Sequence, residues 1–142
     1  MKKALAFVSS VVLGIALVGC QSEPVEVEQP KVESVTGTLA YRERIALPDD
    51  AVVTITLQDV SLADAPAKII AKHRFETAGA QVPFQFDLAY DPKKIEQRHR
   101  YSVSARIEVD GKLRFITDTS YPVVTDSEQT NTVDLRLIGV AN

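Results

Sequence analysis

Several absences narrow the reading at once. The 142-residue chain has no Trp and a single Cys, and its one Met is the first residue. One cysteine excludes an intramolecular disulfide framework and any cysteine-rich zinc site. Lys and Arg number 16 against 19 Asp and Glu, a net charge of −3. That balance lacks the basic excess expected of a nucleic-acid binder. There is no G-x-G-x-x-G and no G-x-x-x-x-G-K-[ST] phosphate loop, and no G-x-S-x-G nucleophile elbow. No segment sustains an apolar spacing of 3.6 residues, so helices are not the basis of the fold. What remains is a chain 45% apolar, too apolar for disorder and long enough for one domain.

The N-terminus is the most informative stretch. Lys2 and Lys3 precede an apolar run, Ala4 to Val18, interrupted only by Ser9, Ser10 and Gly14. The run is shorter than the about 20 helical residues that span a bilayer core. A positive start, a short apolar core and a small residue before a cleavage point read as a secretory signal. The tetrad Leu17-Val18-Gly19-Cys20 resembles the lipobox of bacterial lipoproteins. In that pattern the Cys20 thiol takes a diacylglyceryl group, the bond after Gly19 is cut, and the freed amine is acylated. Two or three acyl chains on one residue exceed the two signals that stable anchoring requires. The mature protein is then anchored to a membrane without spanning it, and Cys20 is the one modification site assigned. Gln21 follows Cys20 where an inner-membrane lipoprotein of enteric type carries Asp, which favours the outer membrane, facing the periplasm.

The expected division is a signal peptide over 1–19, the lipidated Cys and a flexible acidic tether over 20–36, and a folded domain over 37–142. The tether, QSEPVEVEQPKVESVT after Cys20, is rich in Glu and Pro and cannot bury enough surface to offset the entropy of ordering.

From Gly37 the pattern is period two, again and again. Leu39, Tyr41 and Ile45 form a first apolar row, followed by Val53, Ile55 and Leu57, and by Ile69, Ala71, His73 and Phe75. Val82, Phe84, Phe86, Leu88 and Tyr90 follow, then Tyr101, Val103, Ala105, Ile107 and Val109. Asp110-Gly111 is a strong hairpin signal, and Leu113, Phe115 and Thr117 follow it, with Val133, Leu135 and Leu137 last. Half-buried strands at short spacing predict an all-β fold. We expect an antiparallel β-sandwich of about seven to eight strands, Ig-like or transthyretin-like, with a small β-barrel as the alternative. Pro83 has no N–H to give and marks its strand as an edge or a bulge.

Residues able to do chemistry are few. His73 falls on an inward register with no second inward His on a neighbouring strand, so it reads as a partly buried, hydrogen-bonded residue and not a metal ligand. His99 lies in Arg98-His99-Arg100, a charged turn, and reads as solvated. Ser61, between Asp59 and Asp64, and the Asp49-Asp50 pair after Pro48 read as turn residues. Glu43 and Asp59 fall on inward registers, where a buried carboxylate is costly unless paired. Strand ends open to water explain both, and a ligand pocket is the alternative. No catalytic, cofactor-binding or metal-binding residue is assigned, and an enzyme is not expected.

Four stretches carry a family resemblance: Gly37-Thr38-Leu39-Ala40-Tyr41-Arg42-Glu43-Arg44-Ile45-Ala46-Leu47-Pro48, Leu57-Gln58-Asp59-Val60-Ser61-Leu62-Ala63-Asp64-Ala65-Pro66, Gln81-Val82-Pro83-Phe84-Gln85-Phe86 and Tyr101-Ser102-Val103-Ser104-Ala105-Arg106-Ile107. The chain resembles the YbaY family of envelope lipoproteins over roughly residues 37 to 138. That family is related to the YscW-type pilotin lipoproteins of type III secretion. The resemblance implies a small β-domain and a protein-interaction task, since such pilotins bind the C-terminal tail of a secretin and help it reach the outer membrane. Membrane lipid, through Cys20, and a secretin-like envelope protein are the expected partners. The alternative is a glycan-associated envelope lipoprotein without catalysis. An interaction module requires an exposed apolar groove or a free sheet edge; a glycan binder requires a polar concavity with open aromatic rings.

Overall fold

The computed structural model describes residues 31–141 and, separately, Gly14 and Gly19. Cys20, the signal peptide and most of the tether therefore lie outside the described residues.

The chain forms eight strands and one short 3-10 helix: β1 (Glu33–Tyr41), β2 (Val52–Asp59), β3 (Lys68–Glu76), β4 (Phe84–Tyr90), the helix Pro92–Lys94, β5 (Tyr101–Val109), β6 (Lys112–Thr117), β7 (Pro122–Val123) and β8 (Thr132–Gly139). They make one continuous sheet in the order β3-β2-β5-β6-β8-β1-β4, with β7 attached to β5. The all-β expectation holds. Of its two arrangements the barrel describes the molecule, because one sheet curls until its end strands β3 and β4 approach each other. Phe75 of β3 meets Phe84 of β4 edge to face, with ring centroids 5.7 Å apart.

The alternation in the sequence explains the curl. Along β4, Phe84, Phe86, Leu88 and Tyr90 are buried, and the residues between them are exposed. β2 and β5 send Val53, Ile55, Leu57, Tyr101, Val103 and Ile107 into the same interior, each at 2% exposure or less. A sheet with one apolar face must cover it, and with so few helical residues it covers it with itself. The β5–β6 hairpin turns on Asp110 (φ 53°) and Gly111 (φ 74°). Two successive positive φ values are the conformation that Asp-Gly favours and that matches the strand twist.

Four features depart from the sequence expectation. β1 starts at Glu33 and not at Gly37, because Val35, read as tether, is a fully buried core residue. The register of β3 shifts where Leu57 and Gln58 face Ala71 and Ile69. This bulge turns Ile70 inward and leaves Ile69 51% exposed. The first strand ends at Tyr41, whose hydroxyl donates to the Ile45 carbonyl (2.5 Å) while Ile45 itself is exposed. Finally, β1 pairs with β8 in parallel, the one parallel pairing in an otherwise antiparallel sheet. This join is tight. A Cβ built on Gly37 would lie 1.7 Å from the Val133 carbonyl oxygen on β8, so only glycine fits.

Strand directions give the barrel two distinct ends. One holds the loops 42–51 and 77–83 and the 110–111 turn. The other holds the entry to β1, the loops 60–67 and 91–100, and the approach to β8.

Candidate functional site

Pro83 lies directly before β4, and β4 is an end strand of the sheet, as the missing N–H suggested. β3 is the other end strand. Each is hydrogen-bonded along one side only, and the seam between them is bridged by side chains. His73 sits in it, half-buried, with its ring 5.3 Å from that of Phe75. Its Nδ1 is buried without a hydrogen-bond partner. The expectation of a partly buried His73 is met, and that of a satisfied one is not. A depression of about 610 Å³ opens beside it between His73, Gln85, Asp87 and the outer faces of β1 and β8.

A larger groove, about 830 Å³, lies on the outer side of the parallel join, lined by Thr38, Arg42, Asp118, Tyr121, Asp134 and Arg136 among others. Its aromatic content is committed elsewhere. Tyr41 is 7% exposed and stacks on Phe115 with centroids 4.0 Å apart. The Tyr121 hydroxyl accepts the Arg136 N–H (2.9 Å), plugging a stretch of β8 that β6 no longer covers. Of the four tyrosines, Tyr41, Tyr90 and Tyr101 are buried and Tyr121 is half-buried, so the groove offers no open ring on which a sugar could stack.

The third constellation centres on His99, which the sequence placed in a solvated turn. Its Nδ1 lies 2.6 Å from Asp59 Oδ2, and its Nε2 lies 2.6 Å from Glu96 Oε2. Two carboxylates on opposite ring nitrogens fit a doubly protonated imidazolium donating to both. The hydrogen bond to Asp59 raises the His99 pKa above its ordinary value of 6.5, against a smaller opposing effect of burial. Burial pushes the Asp59 carboxyl up, but hydrogen bonds from His99 and Ser61 outweigh it and hold it at about 2. Around this pair, Arg100 donates its N–H to Ser61 Oγ (2.8 Å) and Thr125 donates its hydroxyl to the His99 carbonyl (2.6 Å). Three loops are thus gathered at one end of the barrel. Asp59 does sit at a strand end, and its partner comes from a loop that register reasoning could not place beside it. Ser61 is the turn residue expected, its N–H donating to Asp59 Oδ1.

Glu43 accepts the Gly139 N–H (3.1 Å), and backbone hydrogen bonds, its own and then that of Gly139, lower its pKa. Asp49 accepts at its carbonyl from Ala78 within the clasp of the opposite end. Among the described residues, no three His, Cys, Asp or Glu side chains are grouped to hold a metal. The sheet keeps β3 and β4 as its two end strands.

Residues 30–137 match the family described as type III secretion system lipoprotein chaperone (YscW). The chain belongs to that family. It is 36% identical over 154 residues to the uncharacterized lipoprotein YbaY of Escherichia coli K12, an alignment covering 97% of this chain and 80% of that protein. It is 69% identical to a structurally characterised alternative pilotin from the type II secretion system of Vibrio cholerae, with a TM-score of 0.77 over 79% of this chain and all of that one. The YbaY-type and YscW-type resemblance read from the sequence is thereby established. An envelope-associated lipoprotein of a chaperone family is the coarse functional reading that follows.

Proposed function

We propose that this chain is a pilotin: a lipoprotein anchored through Cys20 to the periplasmic face of the outer membrane, which binds the C-terminal tail of a secretin subunit and delivers it for assembly. The 69% identity to a pilotin, extending over the whole of that protein, carries the reading. The fold supplies what such a role needs. The unpaired sides of β3 and β4 are free sheet edges, and the seam between them is closed by side-chain contact alone. The role requires no catalytic group, and the polar clusters described above serve turns, caps and loop anchoring.

The test is the fate of the host's own secretin. In cells expressing the Cys20→Ala chain, secretin multimers should drop strongly in the outer-membrane fraction, with monomers accumulating elsewhere. The purified full chain should capture a secretin subunit and fail to capture one truncated at its C-terminus. Normal multimer levels in a strain lacking this chain, together with equal capture of intact and truncated subunits, would overturn the proposal.

A further inference from the structure

The end of the barrel from which the tether departs exposes several apolar and basic side chains together. Val32, the residue before β1, is 58% exposed, and Leu62, in the 60–67 loop, is 71% exposed. Ile69, at the start of β3 on the same end, is 51% exposed. Around these apolar side chains stand Lys68, Lys93, Lys94, Arg98 and Arg100, all exposed, and none forms an ion pair with a described residue.

The acids at this end are largely occupied. Asp59 and Glu96 bind His99, and Asp91 caps the short helix by accepting the Lys93 N–H (2.9 Å). Asp126 accepts from Thr130, and Glu33 accepts the Tyr90 hydroxyl (3.1 Å). These hydrogen bonds fix the carboxylates in place without removing their charge, and Asp64 and Glu128 are exposed at this end as well. At the far end Asp49, Asp50, Glu76 and Asp110 are exposed together with Arg42, Arg44 and Lys112, so neither sign prevails there.

We propose that this tether-side end is a membrane-docking face, which rests on anionic phospholipid with Leu62 and Val32 in the headgroup region and the loop cations against lipid phosphates. The inference builds on the lipid anchor proposed above and adds an orientation to it. Exposed apolar residues ringed by Lys and Arg are the composition that binds the interface of an anionic leaflet. The tether argues for the same occupant. A chain of the length from Cys20 to Lys31 can extend to no more than about 40 Å. The lipid surface is therefore the one partner permanently held beside this end. Docking in this way turns the opposite end, and the length of the β3–β4 seam, away from the bilayer and toward the periplasm, where an arriving partner is met.

The missing tryptophan supplies a clean reporter. Leu62→Trp places the sole tryptophan, excited selectively over the four tyrosines, on the proposed face, and Lys112→Trp places one at the opposite end. The acylated full chain is reconstituted into vesicles carrying a nitroxide-headgroup quencher, either in pure phosphatidylcholine or with about a third phosphatidylglycerol. The Leu62→Trp emission should be quenched at least twofold more in the phosphatidylglycerol vesicles. The excess should vanish near 1 M salt, where screening acts within about 3 Å, and in a chain that also carries Lys93→Glu, Lys94→Glu and Arg98→Glu. The Lys112→Trp reporter should stay unquenched.

Equal quenching at the two ends, or at Leu62→Trp in both lipids, would overturn the proposal. So would shielding of Leu62→Trp that appears only with a secretin tail and is indifferent to lipid, which would assign the face to protein. Intact mass of the same sample reads acylation at Cys20 independently. An unacylated chain would sink the anchor, and phosphatidylglycerol-dependent quenching of Leu62→Trp in that chain would still support the face.

Discussion

The barrel is joined in two places that the order of the chain does not require, and the two joins are opposites. At the β1–β8 join the backbones approach so closely that Gly37 has no room for a methyl group beside the Val133 carbonyl. At the β3–β4 seam no ladder forms, Phe75 and Phe84 touch edge to face, and His73 leaves a buried nitrogen unbonded. One join is fixed by hydrogen bonds and steric exclusion, the other by contacts that can part without breaking a backbone hydrogen bond. For the partner binding proposed above, the seam is the place where the barrel opens at the least cost.

The firmest way to break the comparison is Gly37→Ala. A Cβ at 1.7 Å from a backbone oxygen cannot be relieved by a side-chain rotation, so β1 must leave β8. We expect a loss above about 4 kcal/mol, in the range reserved for gross steric or core damage, read as the shift of the urea midpoint. A loss within about 1 kcal/mol would mean that the join is looser than described.

That close contact was invisible in the sequence, and the reason is general. Gly37 reads as a strand-breaking residue until its neighbour across the sheet is known, and its neighbour, Val133, is nearly a hundred residues away. Features set within a few residues were legible: the alternation of β4, the Asp110-Gly111 turn, and Pro83 before an edge strand. Features set by remote partners were not. Val35 belongs to the core because β4 reaches it, and Ile70 points inward because a bulge opposite Leu57 turns it. His99 sits in a run of charges that describes a solvated loop equally well, and only the end of β2 makes it a partner for Asp59. Tyr121 fills a gap in the sheet that exists only once β6 has diverged from β8.

The seam should respond to Phe84→Ala with the next largest effect. Phe84 is 6% exposed and is the β4 side of the aromatic bridge. Truncation of a buried Phe costs about 3–5 kcal/mol, and the low end is expected here because the seam can collapse into part of the space. The sharper readout is hydrogen exchange. The amides that pair β3 with β2 and β4 with β1 should accelerate far more than those of β1 paired with β8. Uniform acceleration around the barrel would show that the seam opens no more readily than the rest.

His73→Leu should move stability the other way. Its Nδ1 lies buried with no partner, and such an atom costs about 1–3 kcal/mol of lost hydration. Leu keeps the bulk beside Ile55 and Phe75 and removes the orphan. A gain of up to about 1 kcal/mol is expected, smaller than the penalty because the ring's contact with Phe75 is lost as well. A loss above about 1 kcal/mol would mean that the nitrogen is bonded in solution, through water or a bound ligand. If the gain comes with weaker capture of a secretin tail, the residue is kept at the seam for its partner and not for the fold.

The smallest effect lies at the tether end and is read in its pH dependence. Asp59 is held at about 2 in the folded chain, below the about 3.9 of a free Asp. Its contribution is present above that free value and is lost as pH falls through about 2. His99 is raised above 6.5, so its contribution is complete below 6.5 and fades as pH rises through the raised value. The imidazolium bridge is therefore strongest from about pH 4 to about 6.5 and fades above that as His99 loses its proton. In Asp59→Asn the His99 ring proton should titrate at lower pH than in the native chain, and part of the stability lost at alkaline pH should no longer be there to lose. An unchanged His99 titration would mean that Glu96, exposed and three residues away, holds the imidazolium by itself. The loops at this end would then be tied by Ser61 and Thr125 alone, and the membrane-facing end would be the more pliable of the two.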